Sequence, residues 1–325
     1  MKPKVVVNKP IPKEVEQFLR EHCDVEKTEA TGDDLLNILH DAEGLLTSGG
    51  SIDENLLNAA PKLKVVSNIS VGYNNFDIDA MRKRNVIGTH TPYVLDDTVA
   101  DLILALMLAA ARRIAELDRY VKEGKWNSLV DEPLFAIDVH HATVGIIGMG
   151  RIGEAIAKRC RYGFDMNVLY NSRNRKEDIE QRVEMTYVPL DTLLKESDFV
   201  VLMTPLTKET RHLIGREQFK MMKKSAIFIN GSRGATVDEE ALIEALQTGE
   251  IRAAGLDVYT KEPIDPDNPL LKLENAVTVP HIGSATAKTR FDMAMLAANN
   301  LVKALRGEEP DYVVPELKDV VAKQD

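Results

Sequence analysis

Cysteine is nearly absent from these 325 residues: there are two, Cys23 and Cys160, far apart and in no CxxC spacing. That excludes a disulfide framework and a cysteine zinc motif, and it fits a reducing, cytoplasmic compartment. Positive charge is in deficit. Lys and Arg number 41 against 51 Asp and Glu, a net charge of −10, so the surface as a whole repels nucleic acid and anionic membranes. An anionic small molecule would need a local positive group in its site. Long apolar runs are missing too. The most apolar segment, Val99 to Ala111, has 13 residues; it is too short to span a bilayer and reads as a buried helix. The opening MKPKVVVNKP carries a strand-length run and then proline, without the h-region of a signal peptide. There is no repeat and no low-complexity tract. What remains is globular material, 44% hydrophobic and 28% charged, in a length sufficient for two domains.

Two series of alternating strands and helices run along the chain. In the first hundred residues, Val5–Val7, Gly44–Thr47, Leu63–Ser67 and Val86–Thr89 read as strands, and Val15–Arg20, Leu56–Ala60 and Ile78–Arg84 as helices. Asp96 to about Gly124 reads as one long helix, with Asp96, Asp97 and Thr98 supplying acidic and capping chemistry at its start and Gly124 its stop. Lys125 to His141 reads as an irregular arm. From Ala142 the alternation resumes, with strands at Thr143–Ile147, Met166–Tyr170, Phe199–Met203, Ala226–Asn230, Ala253–Asp257 and Ala276–Val279, and a final helix over Thr286–Arg306. Short connections between alternating elements imply parallel sheets with helices on both faces. The expected fold class is α/β.

Residues 144–153 read VGIIGMGRIG, placing Gly148, Gly150 and Gly153 in G-x-G-x-x-G spacing between a strand and a helix. In that context the three glycines serve a tight turn, close approach of backbone to a pyrophosphate, and close helix-on-strand packing. The helix start directs free N–H groups and a positive dipole end at the phosphates. Sites that prefer NAD usually place an acid at the end of the second strand, for the ribose 2′-hydroxyl. Here Tyr170 is followed by Asn171-Ser172-Arg173-Asn174-Arg175-Lys176, and no acid stands there. Ser172 and Arg173 can bond a 2′-phosphate, with Arg175 assisting. NADPH is therefore the expected cofactor, with NADH the alternative.

Reduction of a 2-oxo acid needs a group for the carboxylate, an acid for the carbonyl, and a partner that keeps this acid protonated. Arginine, histidine and a carboxylate suit these duties. INGSRG carries Arg233, GLDVYTKEP carries Glu262 and VPHIGSAT carries His281, each just beyond a strand, where open α/β sheets bind ligands. Taken singly they are a capping arginine, a surface glutamate and a buried histidine. Their order after a dinucleotide turn makes them a candidate catalytic set. His140 and His141 have no further ligand at zinc spacing, and no metal site is expected.

Over nearly its whole length the chain resembles the D-isomer-specific 2-hydroxyacid dehydrogenases. GMGRIG, Thr204-Pro205-Leu206-Thr207 with Thr210, NGSRG, GLDV with the following EP, PHIGSAT and the amino-terminal ISVGYNN carry the resemblance. The branch of bacterial glyoxylate, hydroxypyruvate and 2-ketogluconate reductases is the nearest, on ISVGYNNFD, DVHHATVGIIGMGRIG and YNSR. The resemblance implies two doubly wound parallel-sheet domains with a cleft between them. A flavodoxin-like substrate-binding domain (1–98 plus 288–325) would carry an inserted NAD(P)-binding Rossmann domain (99–287). It implies His281 as proton donor, Glu262 as its partner and Arg233 as carboxylate binder, with backbone N–H groups at Val71 and Gly72 for the other carboxylate oxygen. Thr98, Arg151, Ile152, Ser172, Arg173, Pro205, Thr210, Ser232, Asp257 and Ser284 become expected cofactor contacts. A small 2-oxo or 2-hydroxy acid is the implied substrate, and a homodimer built on Asp96–His141 the implied assembly. Two other readings share the fold. One is a non-catalytic NAD(H)-sensing protein; the other is 3-phosphoglycerate dehydrogenase, whose longer forms carry a further C-terminal domain. Formate dehydrogenase is rejected, because it has Gln where Glu262 stands.

Overall fold

The structure is a computed structural model that describes residues 2–127, 129 and 132–321. Ser128, Val130 and Asp131, part of the arm expected over Lys125–His141, lie outside the described residues. The chain divides into two compact units, Met1–Leu95 with Ala285–Asp325, and Asp96–Ser284.

The first unit begins β1(Lys4–Val7), α1(Lys13–His22), β2(Asp24–Lys27), α2(Gly32–Leu39), β3(Gly44–Thr47), α3(Glu54–Ala59), β4(Val65–Asn68), α4(Ile78–Lys83) and β5(Ile87–Thr89). Its five strands are all parallel in the order β2-β1-β3-β4-β5, the flavodoxin-like order. Strands β3 and β4 are buried at every position, as expected of a parallel sheet covered on both faces. Sequence patterning missed β2 and α2. Strand β2 is an edge strand, Asp-Val-Glu-Lys, of which Val25 alone is buried, so it has no apolar periodicity to read.

The second unit runs α5(Asp96–Ala111), α6(Ile114–Lys122), β6(Thr143–Ile147), α7(Arg151–Phe164), β7(Asn167–Asn171), α8(Glu177–Val183), β8(Thr186–Tyr187), α9(Leu190–Glu196), β9(Phe199–Leu202), α10(Arg216–Met221), β10(Ile227–Asn230), α11(Glu239–Thr248), β11(Ala253–Leu256) and β12(Ala276–Thr278). Seven parallel strands lie in the order β12-β11-β10-β9-β6-β7-β8. The order reverses between β6 and β9, the switch point at which open sheets bind ligands. One face of the sheet packs Ile147, Val200, Phe228 and Leu256 against Leu193, Phe219 and Leu242 from α9, α10 and α11. Removing a side chain such as Leu193 from this core would cost about 2–5 kcal/mol. Helix α5 is apolar enough to bury Ile103, Leu106 and Met107, and it packs on β10 and β11.

The long helix expected from Asp96 to Gly124 is in fact two. Arg113 takes a left-handed φ of 55° between α5 and α6. Its guanidinium donates to the Glu116 carboxylate and to the Pro133 carbonyl, the latter at 2.6 Å. Arginine is a good helix former, so periodicity does not show a break made by these contacts. The stop at Gly124 is seen, with φ 71°. The chain returns to the first unit as α12(Ala287–Leu305), which covers β3 and β4. Here the Ser67 hydroxyl donates to the Ala297 carbonyl at 2.8 Å. The final helix is α13(Lys318–Val321).

Candidate active site

Because every strand of the second unit is parallel, all carboxyl ends fall on one edge of the sheet. The turns that follow β6, β7, β9, β10, β11 and β12 are therefore neighbours, although they span 136 residues of sequence from Gly148 to Gly283.

The glycine turn follows β6. Gly148 has φ 102°, and a Cβ there would meet the Met203 carbonyl oxygen at 2.6 Å, so only glycine fits. A Cβ on Gly153 would strike the Gly148 carbonyl at 2.5 Å, whereas one on Gly150 would meet nothing within 4 Å. The second glycine thus faces open space at the start of α7, as close approach by a phosphate requires. Beside it, after β9, the Thr204 hydroxyl is buried without a hydrogen-bond partner among the described residues. A cradle with an open Cβ position, a fourteen-residue helix beginning on it and an orphaned hydroxyl fits a dinucleotide. Arg151 opens α7 and donates to Asp96 at 3.0 Å; Ile152 follows it. Thr98 lies in the first turn of α5. Thr210 donates to the Pro205 carbonyl at 2.6 Å and accepts from the Thr207 amide, closing the turn after β9. Ser232, after β10, donates to Asn230 at 2.8 Å.

The three catalytic candidates come together at the other end of the same edge. His281 Nδ1 lies 2.6 Å from Glu262 Oε2. The second Glu262 oxygen accepts the Tyr259 amide at 3.0 Å. Burial opposes ionisation of Glu262, but the bonds from His281 and Tyr259, with the charge of Arg233, outweigh it and hold its carboxyl below the usual value. Arg233 is half-buried, and Glu262 is the charge that opposes the lowering of its pKa by burial. One Nη of Arg233 donates to the Ser232 carbonyl at 2.6 Å. Gly234 fixes the spacing of the two loops: a Cβ there would lie 1.9 Å from the Tyr259 carbonyl, so the backbones bearing Arg233 and Glu262 touch directly.

Asp257 is the residue whose part the sequence did not show. It sits at the end of β11, 3% exposed. Its two oxygens accept the amides of Ile282 at 2.6 Å and Gly283 at 2.9 Å. His281 itself has φ 51°, a left-handed conformation that a non-glycine residue holds only when its surroundings enforce it. Asp257 enforces it from the next two residues. Burial still raises the Asp257 pKa against the pull of these bonds. Ser284 follows directly. Tyr259 adds a further tie, donating its hydroxyl to the Val279 carbonyl at 3.0 Å. None of these bonds has a local sequence signal, since they join residues 20 to 26 apart.

In the first unit, the turn after β4 holds Val71 and Gly72. The Ser70 hydroxyl donates to the Gly72 carbonyl at 2.6 Å, and His90 Nδ1 lies 2.9 Å from the Val71 carbonyl. With the carbonyls engaged inward, the amides of Val71 and Gly72 make no hydrogen bond among the described residues. Adjacent free amides are an anion-binding feature.

Residues 104–283 match the family described as D-isomer specific 2-hydroxyacid dehydrogenase, NAD binding domain. The chain is 50% identical over 324 residues to a glyoxylate/hydroxypyruvate reductase B of Escherichia coli (strain SMS-3-5 / SECEC), covering 98% of this chain and all of the relative. It superposes with a TM-score of 0.88 on a glyoxylate reductase from Paecilomyes thermophila, at 30% identity and 98% and 99% coverage of the two chains. It is also similar to an NADPH-dependent glyoxylate/hydroxypyruvate reductase from Sinorhizobium meliloti in complex with NADP and malonate. There the TM-score is 0.85 at 31% identity, with 98% of each chain covered.

Proposed function

The chain belongs to the D-isomer-specific 2-hydroxyacid dehydrogenase family, and from that premise we propose that it reduces glyoxylate and hydroxypyruvate with NADPH. The observation that carries the reading is the 2.6 Å contact of His281 with Glu262, beside Arg233 and on the same sheet edge as the glycine turn.

Arg233 offers a planar fork to the substrate carboxylate and lies near enough to polarise the adjoining carbonyl. His281 uses Nδ1 on Glu262, and its Nε2 has no partner among the described residues. That nitrogen donates the proton to the carbonyl oxygen. Glu262 holds Nδ1 and so fixes which nitrogen faces the substrate. The free amides of Val71 and Gly72 form the anion cradle expected of a substrate-carboxylate loop. The nicotinamide cofactor, when bound, supplies the hydride; the product is the 2-hydroxy acid, of D configuration where C2 becomes a stereocentre, as with hydroxypyruvate. Gly148, Gly150, Gly153 and the α7 start would hold its pyrophosphate. Arg173 is assigned to a 2′-phosphate, joined by Ser172 once its hydroxyl turns from the Asn174 carbonyl; the absence of an acid after Tyr170 and the NADPH dependence of the Sinorhizobium meliloti relative support this.

Steady-state rates with glyoxylate, hydroxypyruvate and 2-ketogluconate, each with NADPH and NADH, test the proposal. The highest kcat/KM is expected with NADPH and one of the first two acids. A preference for 2-ketogluconate moves the substrate assignment, and equal rates with both cofactors remove the NADPH assignment.

We also propose a homodimer, in the cytoplasm, assembled on the surface of α6 and the segment after it. Ile114, Val121, Trp126, Leu129 and Phe135 are each more than half exposed there, an apolar patch of the kind that marks an interface. The expected solution mass is twice the 36.2 kDa of one chain. Val121→Asp with Trp126→Asp is expected to halve it in light scattering; an unchanged mass would place the interface elsewhere.

A further inference from the structure

The turn after β7 is closed by groups that the reaction does not use. Tyr170 is fully buried. Its hydroxyl donates to Glu180 Oε1 at 2.5 Å and accepts the Lys176 amide at 2.8 Å. Glu180, on α8, accepts Arg175 through both oxygens, from Nε and Nη2, each at 2.9 Å. Within the turn the Ser172 hydroxyl donates to the Asn174 carbonyl at 2.7 Å. The segment from Asn171 to Lys176 is thus tied down at its far end by Tyr170 and Glu180, and crimped across its middle by Ser172.

Two arginines two residues apart are left in different positions. The fork of Arg175 is engaged bidentately with Glu180. Arg173, at the exposed tip, has no hydrogen bond or ion pair among the described residues. Its charge is felt by Glu209 in the turn after β9, so it stands on the side of the glycine cradle's neighbour.

We propose that Tyr170 and Glu180 are positioning residues for cofactor choice, a clasp that holds the turn so that Arg173 meets a 2′-phosphate. The proposal rests on the NADPH assignment made above. Its physical basis is ordering. A turn that must be fixed on binding loses backbone entropy, and a turn already fixed does not. The 2′-phosphate is the one part of NADPH that NADH lacks, so the clasp bears on one cofactor and not the other. Pairing with Arg175 also covers the Glu180 charge, which would otherwise repel the phosphate. The clasp keeps its protonation through the neutral range. The bonds from Arg175 and Tyr170 hold the Glu180 carboxyl down at about 2, and burial pushes the Tyr170 phenol up to about 12.

The test is fluorescence titration of the full-length protein with NADPH and with NADH, for wild type, Glu180→Gln, Tyr170→Phe and Arg173→Asp. Each clasp variant is expected to weaken NADPH about five- to tenfold, the loss of roughly one net hydrogen bond, with NADH within twofold. Arg173→Asp is expected to invert the preference. Glu180→Gln keeps the size of the side chain and an acceptor for the Tyr170 hydroxyl, so it keeps the test alive if Tyr170→Phe fails to fold. A ratio of NADPH to NADH affinity that stays at the wild-type value in both clasp variants, whether neither cofactor or both weaken, overturns the clasp. Tighter NADPH binding by Glu180→Gln also overturns it, since Arg175 would then be a phosphate reader held in reserve. A wild type that binds both cofactors equally overturns the NADPH assignment, and the clasp with it.

Discussion

Replacing His281 with glutamine is expected to lower kcat for glyoxylate reduction by about two to four orders of magnitude, the range for removing a positioned general acid. Affinity for NADPH should stay within about twofold, on the argument that the glycine cradle lies on a different part of the sheet edge. Glutamine keeps a polar side chain and can still hydrogen-bond Glu262, but it carries no proton that it can release near neutral pH. The comparison therefore isolates proton donation from loop structure. The backbone at 281 has φ 51° and is held by Asp257 through the amides of Ile282 and Gly283, bonds that the substitution leaves in place. Single-turnover rates and a cofactor titration on the same preparation give the answer. A variant that turns over at the wild-type rate rejects His281 as the acid.

Arg233→Gln is the second large effect. Losing a charged bidentate contact to a carboxylate costs about 3–5 kcal/mol, so kcat/KM for glyoxylate should fall by about two to four orders of magnitude. Arg233→Lys keeps the charge and loses the fork, and should fall between. A neutral 2-oxo aldehyde, which has no carboxylate to lose, should be reduced by Arg233→Gln with a much smaller change. If glyoxylate and the neutral aldehyde lose rate equally, Arg233 is not the carboxylate group. The same variant carries a pH signature. Arg233 is one of the charges that hold the Glu262 carboxyl below its usual 4.5. A carboxyl with a lowered folded pKa keeps its contribution above the unfolded value and loses it as pH falls through the folded one. Without Arg233 that loss should begin at higher pH, moving the acid limb of the rate profile upward.

Much of this was legible in the chain. The strand–glycine–helix unit at 143–153 declares itself through glycine spacing set between a strand and a helix, and the central strands of both sheets follow from apolar runs separated by helical periodicity. Arg233, Glu262 and His281 were found because each stands directly after a strand, and parallel strands deliver such positions to a common edge. Strand β2, the break at Arg113 and the part of Asp257 had no local pattern to read. The edge strand β2 is polar. The break at Arg113 comes from Glu116 and from Pro133, 20 residues away. Asp257 was read as a cofactor contact, with nothing to indicate that both its oxygens hold the histidine loop. Arg175 was read as assisting Arg173 at the phosphate, with nothing to indicate that its fork is taken up by Glu180.

The sequence by itself determined the inventory: a glycine turn for phosphates, no acid after Tyr170, and an arginine, a glutamate and a histidine in the order this chemistry requires. The tertiary structure decided which of those groups are free to act. Glu262 and His281 are 19 residues apart in the chain and 2.6 Å apart in space. The conformation of His281 is held from another strand, and the choice between two arginines is made by a carboxylate on a helix. The reason is that periodicity records which side of an element is buried. Hydrogen-bond partners depend on where backbones from distant segments meet, and at the carboxyl edge of this parallel sheet that meeting is made by the fold.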